Sequence, residues 1–287
     1  MDPWKTLLNF ARPLRRRGPI TVVFILSHNY SGSTWLNLVL GSCSKSYNLG
    51  EYHRPWSMPG HVACRLCEAD GRQQCTILHG IEAVALKDAF HFAAARTNRQ
   101  ILIDCSKSIG WSMEFLGRAD IDVRLVHLVR HPCGYAESRW RRAAHLGLDQ
   151  IFAEWESTNR QIGDFVANSG VPHTLVCYDD LADSPDEHFP DLCRFIGMPW
   201  ETAALNYWNF PHHGLGGNGA ASLYLRGRKV EKFVTGDDRF YEDLERRPVA
   251  ADRRFRERLP DDFRQRAVVH PYACSLREQL RKGPWQP

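Results

Sequence analysis

Runs of apolar residues alternate with helical segments along most of the chain. Seven consecutive apolar or β-branched residues at 20–26 are too few for a helix and suit a strand buried on both faces. Three later runs have the same character, at 100–103, 123–129 and 172–178. Helical segments occupy the intervals, at 81–98, 111–116, 134–145, 151–168 and 186–196. This alternation predicts an α/β fold, a three-layer sandwich in which helices cover both faces of a central parallel sheet.

The turn at 27–34, which follows the first strand, is polar, and apolar residues at helical spacing come after it. A strand, a small polar turn and a helix N-terminus direct several backbone N–H groups at one point, where the helix dipole also favours negative charge. Lys107 and Arg130 also follow predicted strands. Because the carboxyl ends of parallel strands share one edge, we expect an anion-binding site there. A serine-rich turn without a ligand is the alternative.

Two regions depart from the alternation. Residues 43–80 lack periodicity and are rich in Gly, Pro, His and Cys, which predicts a functional or stapled loop insertion. From residue 200 a turn-rich loop leads into an Arg-rich helical segment, which we interpret as a covering layer and active-site lid over 200–287. We therefore predict a single domain over 20–287, preceded by a basic arm at 1–19.

The net charge and the hydropathy of the chain limit the kinds of partner that we expect it to bind. The net charge of +4 is carried by residues 1–17, and the balanced remainder argues against a nucleic-acid-binding surface. No apolar run reaches the length of a transmembrane helix. The one candidate for the apolar core of a signal peptide is the run that we assign to the first strand. Together these observations predict a cytoplasmic protein. Residues 1–17 combine apolar and basic side chains and also fit peripheral contact with a membrane, although a packed or frayed arm is the favoured interpretation.

The turn lacks the first glycine and the Lys-Ser/Thr pair of the phosphate-loop ATPases, which argues against their magnesium chemistry. It resembles instead the first motif of the sulfotransferases that use 3'-phosphoadenosine 5'-phosphosulfate, a strand followed by Arg/Lys-Ser-Gly-Thr/Ser-Thr and an apolar helix. The basic position of that motif is Tyr30 in this chain. The resemblance implies the P-loop-like sulfotransferase fold and a donor-binding role for Tyr30, Ser31, Gly32, Ser33, Thr34 and Trp35.

A second motif of that family is similar to Arg130-His131-Pro132 with Ser138 eight residues after the arginine. Pro132 begins a helix, so the guanidinium at the strand end and the hydroxyl two turns along can contact one anion. In the family this pair binds the 3'-phosphate of the donor. A late His-to-Gly-Asn segment at 213–218 also resembles bacterial members, and Arg226, Arg228 or Lys229 would then supply a further phosphate contact.

The resemblance also implies catalytic residues. Lys107 lies where related enzymes place a lysine beside the bridging oxygen of the donor, and a cation there would stabilise charge that grows on the leaving phosphate. Glu51 matches the Gly-Glu of bacterial and tyrosyl-protein sulfotransferases, where the carboxylate takes the acceptor's proton. His53 is the competing base, since cytosolic members use histidine. A carboxylate that is partly desolvated and faces the donor's sulfate is expected to have a raised pKa.

The loop insertion contains Cys64, Cys67 and Cys75, which with His61 form a possible tetrahedral zinc set, and His79 is the other candidate for the fourth ligand. Bacterial sulfotransferases of this type resemble the chain in carrying such a cluster. Reduced thiols packed under a loop are the alternative, as expected for the other six cysteines.

Together these patterns predict in-line transfer of a sulfuryl group from 3'-phosphoadenosine 5'-phosphosulfate to an acceptor hydroxyl, or to an amine. The acceptor would be a small molecule, a lipid or a carbohydrate, and any zinc would be structural. Two other functions fit the anion site, a phosphate-loop nucleotide kinase and a non-catalytic scaffold that binds a nucleotide or anion.

Overall fold

A five-stranded parallel sheet forms the centre of the computed structural model, which describes residues 18–58, 60, 64, 67, 74–143, 145–217 and 251–287. The strands are β1 Ile20–Leu26, β2 Ser46–Gly50, β3 Ile101–Asp104, β4 Ile121–Val129 and β5 His173–Cys177. Their order across the sheet is β2-β3-β1-β4-β5, and every pair is parallel. β1 therefore lies in the middle, which explains why its seven residues are almost all apolar.

Helices cover both faces of the sheet. The α-helices, in chain order, are α1 Ser33–Gly41, α2 Arg54–Ser57, α3 Ala89–Thr97, α4 Ile109–Met113, α5 Pro132–Trp140, α6 Leu148–Asn168, α7 Tyr178–Asp183, α8 Pro185–Ile196, α9 Phe255–Arg258, α10 Asp261–Val269 and α11 Pro271–Gln279. Alternate residues of β1 enter different cores, with Val22 and Phe24 on one face of the sheet and Val23 and Ile25 on the other. The predicted three-layer α/β architecture is confirmed.

The edge strand β2 was not predicted, because its sequence Ser-Tyr-Asn-Leu-Gly is not an apolar run. Its two inward polar side chains are buried but hydrogen-bonded. Ser46 Oγ donates to the Leu40 carbonyl, and Asn48 Oδ1 lies 2.7 Å from Nδ1 of the buried His212. A strand can therefore form here without apolar periodicity, since its polar groups find partners inside the fold.

The long helix predicted over 81–98 is wrong in its first half. Two short 3₁₀ segments, Ile81–Ala83 and Leu86–Asp88, precede α3, and the residues between them, Val84 and Ala85, are extended. The carbonyl of Val84 accepts a hydrogen bond of 2.9 Å from the indole of Trp56. In a continuous helix this carbonyl would instead accept a hydrogen bond from a backbone N–H of the same helix.

In the part that the structure describes, the C-terminal segment packs against the carboxyl end of β4, and its predicted role as an active-site lid stays a prediction. A 3₁₀ segment at Thr202–Asn209 packs near α1, and α9, α10 and α11 contribute to a core around Val129, Tyr135 and Trp155. The predicted basic arm through residue 17, and Arg226, Arg228 and Lys229, lie outside the described residues. No helix among the described residues is both long and apolar enough to span a membrane.

Candidate active site

The turn between β1 and α1 is closely packed and needs glycine at position 32. Gly32 has φ 89° and is the N-cap of α1, and a Cβ atom at this position would overlap the ring of Tyr178. Ser31 and Ser33 on either side are buried. The backbone is thereby held in the left-handed region, so that the first N–H groups of α1 face the carboxyl edge of the sheet.

Arg130 reaches this turn from the neighbouring strand. It follows β4, and its Nη1 donates a 2.7 Å hydrogen bond to the Tyr30 carbonyl. Its guanidinium lies 5.4 Å from the ring centroid of Tyr178, and Nη2 is 4.0 Å from a carboxylate oxygen of Asp252. The side chain is only 8% exposed, and its Nε is buried without a hydrogen-bond partner among the described residues. Arg130 is therefore a buried cation with unused donor capacity beside the turn.

Ser138 lies on the same face of α5 as the contact with Arg130. A Cβ atom at Gly134 would be 3.2 Å from Arg130 Nε, and Ser138 is one helical turn further on. The Ser138 hydroxyl accepts a 3.1 Å hydrogen bond from Nη1 of Arg142. The guanidinium of Arg142 lies 4.9 Å from the ring centroid of Tyr30. The structure thus adds Arg142, which the sequence analysis missed although its i+4 spacing from Ser138 places both on one helical face.

Lys107 and Glu51 form an ion pair at the adjacent strand ends. Lys107 Nζ donates a hydrogen bond of 2.7 Å to Glu51 Oε1 and another of 3.1 Å to the Cys105 carbonyl. Arg54, which was not predicted, donates through Nε (2.8 Å) and Nη2 to Glu51 Oε2. Burial alone would raise the pKa of Glu51, but the two cations together lower it below the ordinary value. The two cations thus outweigh burial, whereas the expected rise in the pKa of Glu51 concerns a carboxylate that faces the donor's sulfate and stays a prediction.

The loop that carries Lys107 is fixed by a buried carboxylate. Asp104 accepts hydrogen bonds from the Ser106 amide (2.6 Å) and the Trp111 indole (2.9 Å), while burial raises the pKa of Asp104 to about 6. The Ser106 hydroxyl accepts in turn from the amide of His53. Nδ1 of His53 is buried without a partner among the described residues, and burial lowers the pKa of His53. His53 is thus held at the site as a neutral ring at neutral pH.

Residues 213–217 extend β2 and connect the ion pair to the rest of the site. The Glu51 amide donates 2.6 Å to the Leu215 carbonyl, and the Leu215 amide donates 3.1 Å to the Leu49 carbonyl. These bonds form an isolated parallel bridge between Gly50 and Leu215. The backbone of Glu51 is therefore positioned by a segment more than 160 residues later in the chain.

The two glycines that follow Leu215 pack on the two halves of the site. At Gly216, with φ 63°, a Cβ atom would lie 2.5 Å from Glu51 Oε2. At Gly217, with φ 96°, it would lie 3.0 Å from Thr34 Cγ2 in α1. Consecutive Cα atoms are about 3.8 Å apart, so the carboxylate and the anion-binding turn lie on either side of one short stretch of backbone.

Three cysteines of the loop insertion surround one histidine. The distance from Nδ1 of His213 to Sγ is 3.9 Å for Cys64, 3.2 Å for Cys67 and 3.4 Å for Cys75. The sequence analysis missed His213, since it lies 138 residues after Cys75. Of the two histidines it proposed, His61 is outside the described residues and His79 is exposed in a turn.

Arg130 thus lies beside a helix N-terminus and Lys107 at a neighbouring strand end, both at the carboxyl edge of a parallel α/β sheet, an arrangement suited to binding an anion. The sequence profile of the sulfotransferase family matches residues 22–202, which is more than half of the chain. The chain belongs to the sulfotransferase family, as the sequence analysis predicted.

Two solved structures have the same fold over nearly the whole chain. The sulfotransferase domain from the curacin biosynthetic pathway is 18% identical, with a TM-score of 0.56, and the alignment covers 94% of this chain and 99% of that domain. The sulfotransferase domain of the Synechococcus PCC 7002 olefin synthase is 20% identical, with a TM-score of 0.55 and coverage of 95% and 98%. A comparison with curated proteins gives no match.

Proposed function

We propose that this protein transfers a sulfuryl group from 3'-phosphoadenosine 5'-phosphosulfate to an acceptor hydroxyl, with an amine as the less favoured acceptor. The acceptor would be a small molecule, a lipid or a carbohydrate. The observation that carries the proposal is the Lys107–Glu51 ion pair, with Gly216 packed near the Glu51 carboxylate and the next residue, Gly217, packed near Thr34 at the start of α1. A cation and a proton acceptor thereby lie beside the place where a phosphosulfate would bind.

The donor would occupy both parts of the anion site. The N–H groups that begin α1 suit the 5'-phosphosulfate, with Ser31, Ser33 and Thr34 lining the turn. Arg130 and Ser138 suit the 3'-phosphate, and the buried Nε of Arg130 has a donor to offer it. Arg142, stacked on Tyr30, supplies positive charge close to the position where the family motif has a basic residue.

The Lys107–Glu51 pair suggests how the transfer begins. A bound phosphosulfate would compete with Glu51 for the Lys107 ammonium, and Lys107 would then stabilise the charge that develops on the bridging oxygen. Loss of that cation would raise the pKa of Glu51 and make it a better proton acceptor. As the acceptor oxygen bonds to sulfur, its proton passes to Glu51. The bond from sulfur to the bridging oxygen breaks with its electron pair, and the bisphosphate product leaves.

Two measurements test this function. Calorimetry should show that 3'-phosphoadenosine 5'-phosphate binds more tightly than ATP, because ATP has no 3'-phosphate for Arg130. Incubation with donor carrying labelled sulfate and a panel of phenols, sugars and lipids should give a labelled product. Preference for ATP would favour the kinase alternative. Tight binding of the bisphosphate without transfer to any acceptor class would favour the non-catalytic scaffold.

A further inference from the structure

The cysteine–histidine cluster has the dimensions of a metal site. One ligand atom from each of Cys64, Cys67, Cys75 and His213 lies within 4.8 Å of every other. A tetrahedral zinc with bonds of about 2.3 Å to sulfur and 2.0–2.1 Å to nitrogen separates its ligand atoms by roughly 3.5–3.8 Å. The three distances from sulfur to Nδ1, between 3.2 and 3.9 Å, bracket this value.

Hydrogen bonding alone does not explain why three sulfurs meet at one nitrogen. Nδ1 of a neutral imidazole carries either one hydrogen or one lone pair, so it can make one good hydrogen bond. Cys64 and Cys67 are each only 3% exposed, so both sulfur atoms face the interior of the cluster rather than solvent. A divalent metal that binds all four atoms satisfies the whole group at once.

We propose that Cys64, Cys67, Cys75 and His213 bind one structural zinc ion. Three thiolates and one imidazole form a complete tetrahedral set for zinc and leave no position open for a substrate or water. The C-x2-C spacing of Cys64 and Cys67 is typical of such sites. This proposal is independent of the sulfuryl-transfer reaction, because it rests on a different group of residues.

The fourth ligand gives the zinc a role beyond the loop. His213 begins the segment whose Leu215 pairs with the backbone of Gly50 and Glu51. Residue 213 is thus held at one end by the metal, and Gly216 rests on the Glu51 carboxylate at the other. The zinc therefore ties the loop insertion to the segment that positions Glu51.

Metal analysis provides the first test. Protein purified without added metal is expected to contain about one zinc per chain. Replacement of zinc by cobalt should give the thiolate charge-transfer absorption and the strong visible bands of a tetrahedral site. A reduced wild-type protein that takes up neither metal would overturn the proposal. A disulfide between two of the three cysteines, found by mass spectrometry under reducing purification, would overturn it as well.

Histidine variants provide a matched set for the fourth ligand. His213→Ala should weaken zinc retention against a competing chelator at least tenfold, whereas His79→Ala and His61→Ala should retain zinc as the wild type does. Cys274→Ser is the control for Cys64→Ser, since Cys274 lies far from the cluster in α11. Circular dichroism checks that each variant folds. Unchanged zinc retention in folded His213→Ala would refute the assignment of the fourth ligand.

Hydrogen exchange tests the connection to Glu51 without any turnover. Removal of zinc from the wild-type protein should speed exchange of the Glu51 and Leu215 amides, which bond across the bridge. Amides in the centre of β1 should keep their protection. If zinc removal leaves the exchange of Glu51 and Leu215 unchanged, the metal does not position this segment.

Discussion

The side chains of Lys107 and Glu51, which are 56 residues apart in the sequence, meet at 2.7 Å and are only 12% and 14% exposed. Glu51 is paired with Arg54 as well, so one carboxylate is shared between two cations. The proposed reaction requires them to separate, with the cation turning to the leaving group and the carboxylate to the acceptor. Charge on the donor is therefore expected to complete the catalytic arrangement as well as to provide affinity.

Replacement of Glu51 tests its role as the base. Glu51→Gln keeps the shape of the side chain and should lower kcat roughly 10²–10⁴-fold. Donor affinity should not fall, since Lys107 is freed to meet the donor. His53→Asn should reduce kcat much less, and the exposed Glu114→Gln should have no effect. Steady-state kinetics and calorimetry measure these quantities. Near-normal turnover in Glu51→Gln together with an inactive His53→Asn would instead assign the base to His53.

Replacement of Arg130 tests the recognition of the 3'-phosphate. Loss of a charge-assisted contact is worth about 1.5–3 kcal/mol, so Arg130→Ala should weaken 3'-phosphoadenosine 5'-phosphate roughly ten- to hundredfold. The affinity for adenosine 5'-phosphosulfate, which lacks that phosphate, should fall far less. Arg194→Ala, at an exposed surface pair with Asp191, is the control. Equal weakening of both ligands in calorimetry would contradict the assignment.

Arg142 is expected to supply the positive charge that position 30 lacks. Arg142→Ala should weaken donor binding roughly tenfold, consistent with loss of one charged hydrogen bond. Tyr30→Lys in that background should restore part of the affinity by returning a cation to the turn. Arg139→Ala is the matched control, because Arg139 lies near the end of α5, three residues before Arg142, and pairs with Glu154. Failure of Tyr30→Lys to restore any binding would argue that Arg142 acts only by packing.

The absence of a side chain at Gly216 should be essential for the position of the Glu51 carboxylate. Gly216 has φ 63°, and a Cβ atom would lie 2.5 Å from both Glu51 Oε2 and Arg54 Nε. Gly216→Ala should therefore lower kcat, because the Glu51 carboxylate must move, and should lower the melting temperature slightly. Gly283→Ala, where nothing lies within 4 Å, should change neither quantity. Normal kcat in Gly216→Ala would show that the carboxylate tolerates displacement.

Buried histidines should make the protein sensitive to mild acid. Burial lowers the pKa of His127 to about 4 and that of His212 to about 4, from 6.5. Below pH 6.5 the unfolded chain binds protons at these rings that the folded chain does not, so stability falls as the pH drops from 6.5 to 4. A shift of about 2.5 units at about 1.36 kcal/mol each gives a loss on the order of 3 kcal/mol per ring.

Urea unfolding at a series of pH values measures this dependence. His127→Gln should reduce the slope of unfolding free energy against pH between 6.5 and 4, whatever its effect at pH 7. An unchanged slope in His127→Gln would mean that His127 does not contribute to the acid sensitivity.

The sequence predicted those parts of the fold that depend on local pattern. β1 is an unbroken apolar run because both of its faces are covered, and its bounds agree with the prediction. β2 could not be found in this way, since its polar side chains are satisfied by Leu40 and His212, contacts that exist only after folding. The same limit applies to Val84, whose bond to Trp56 interrupts a helix that periodicity alone predicts.

The residues of the candidate site divide in the same way, into those that a local motif identifies and those that only contacts in the folded protein identify. The strand pattern placed Lys107 and Arg130 at strand ends, and motif resemblance added Glu51 in the loop after the first helix. The sheet brings all three residues to one edge. Arg142 and His213 were missed because their importance depends on which side chains they meet across the fold. Arg54 was missed for a similar reason, because no motif includes it and only the fold brings it to the Glu51 carboxylate.

The late position of residues 213–217 in the chain has a consequence for synthesis. Among the described residues, the last strand of the sheet ends at Cys177, so these strands can pair while the rest of the chain is still being translated. Such a nascent chain already contains the anion-binding turn and Glu51 but lacks the segment that packs against both. Catalytic competence is therefore expected to be among the last properties that a newly made molecule acquires, well after its central architecture has formed.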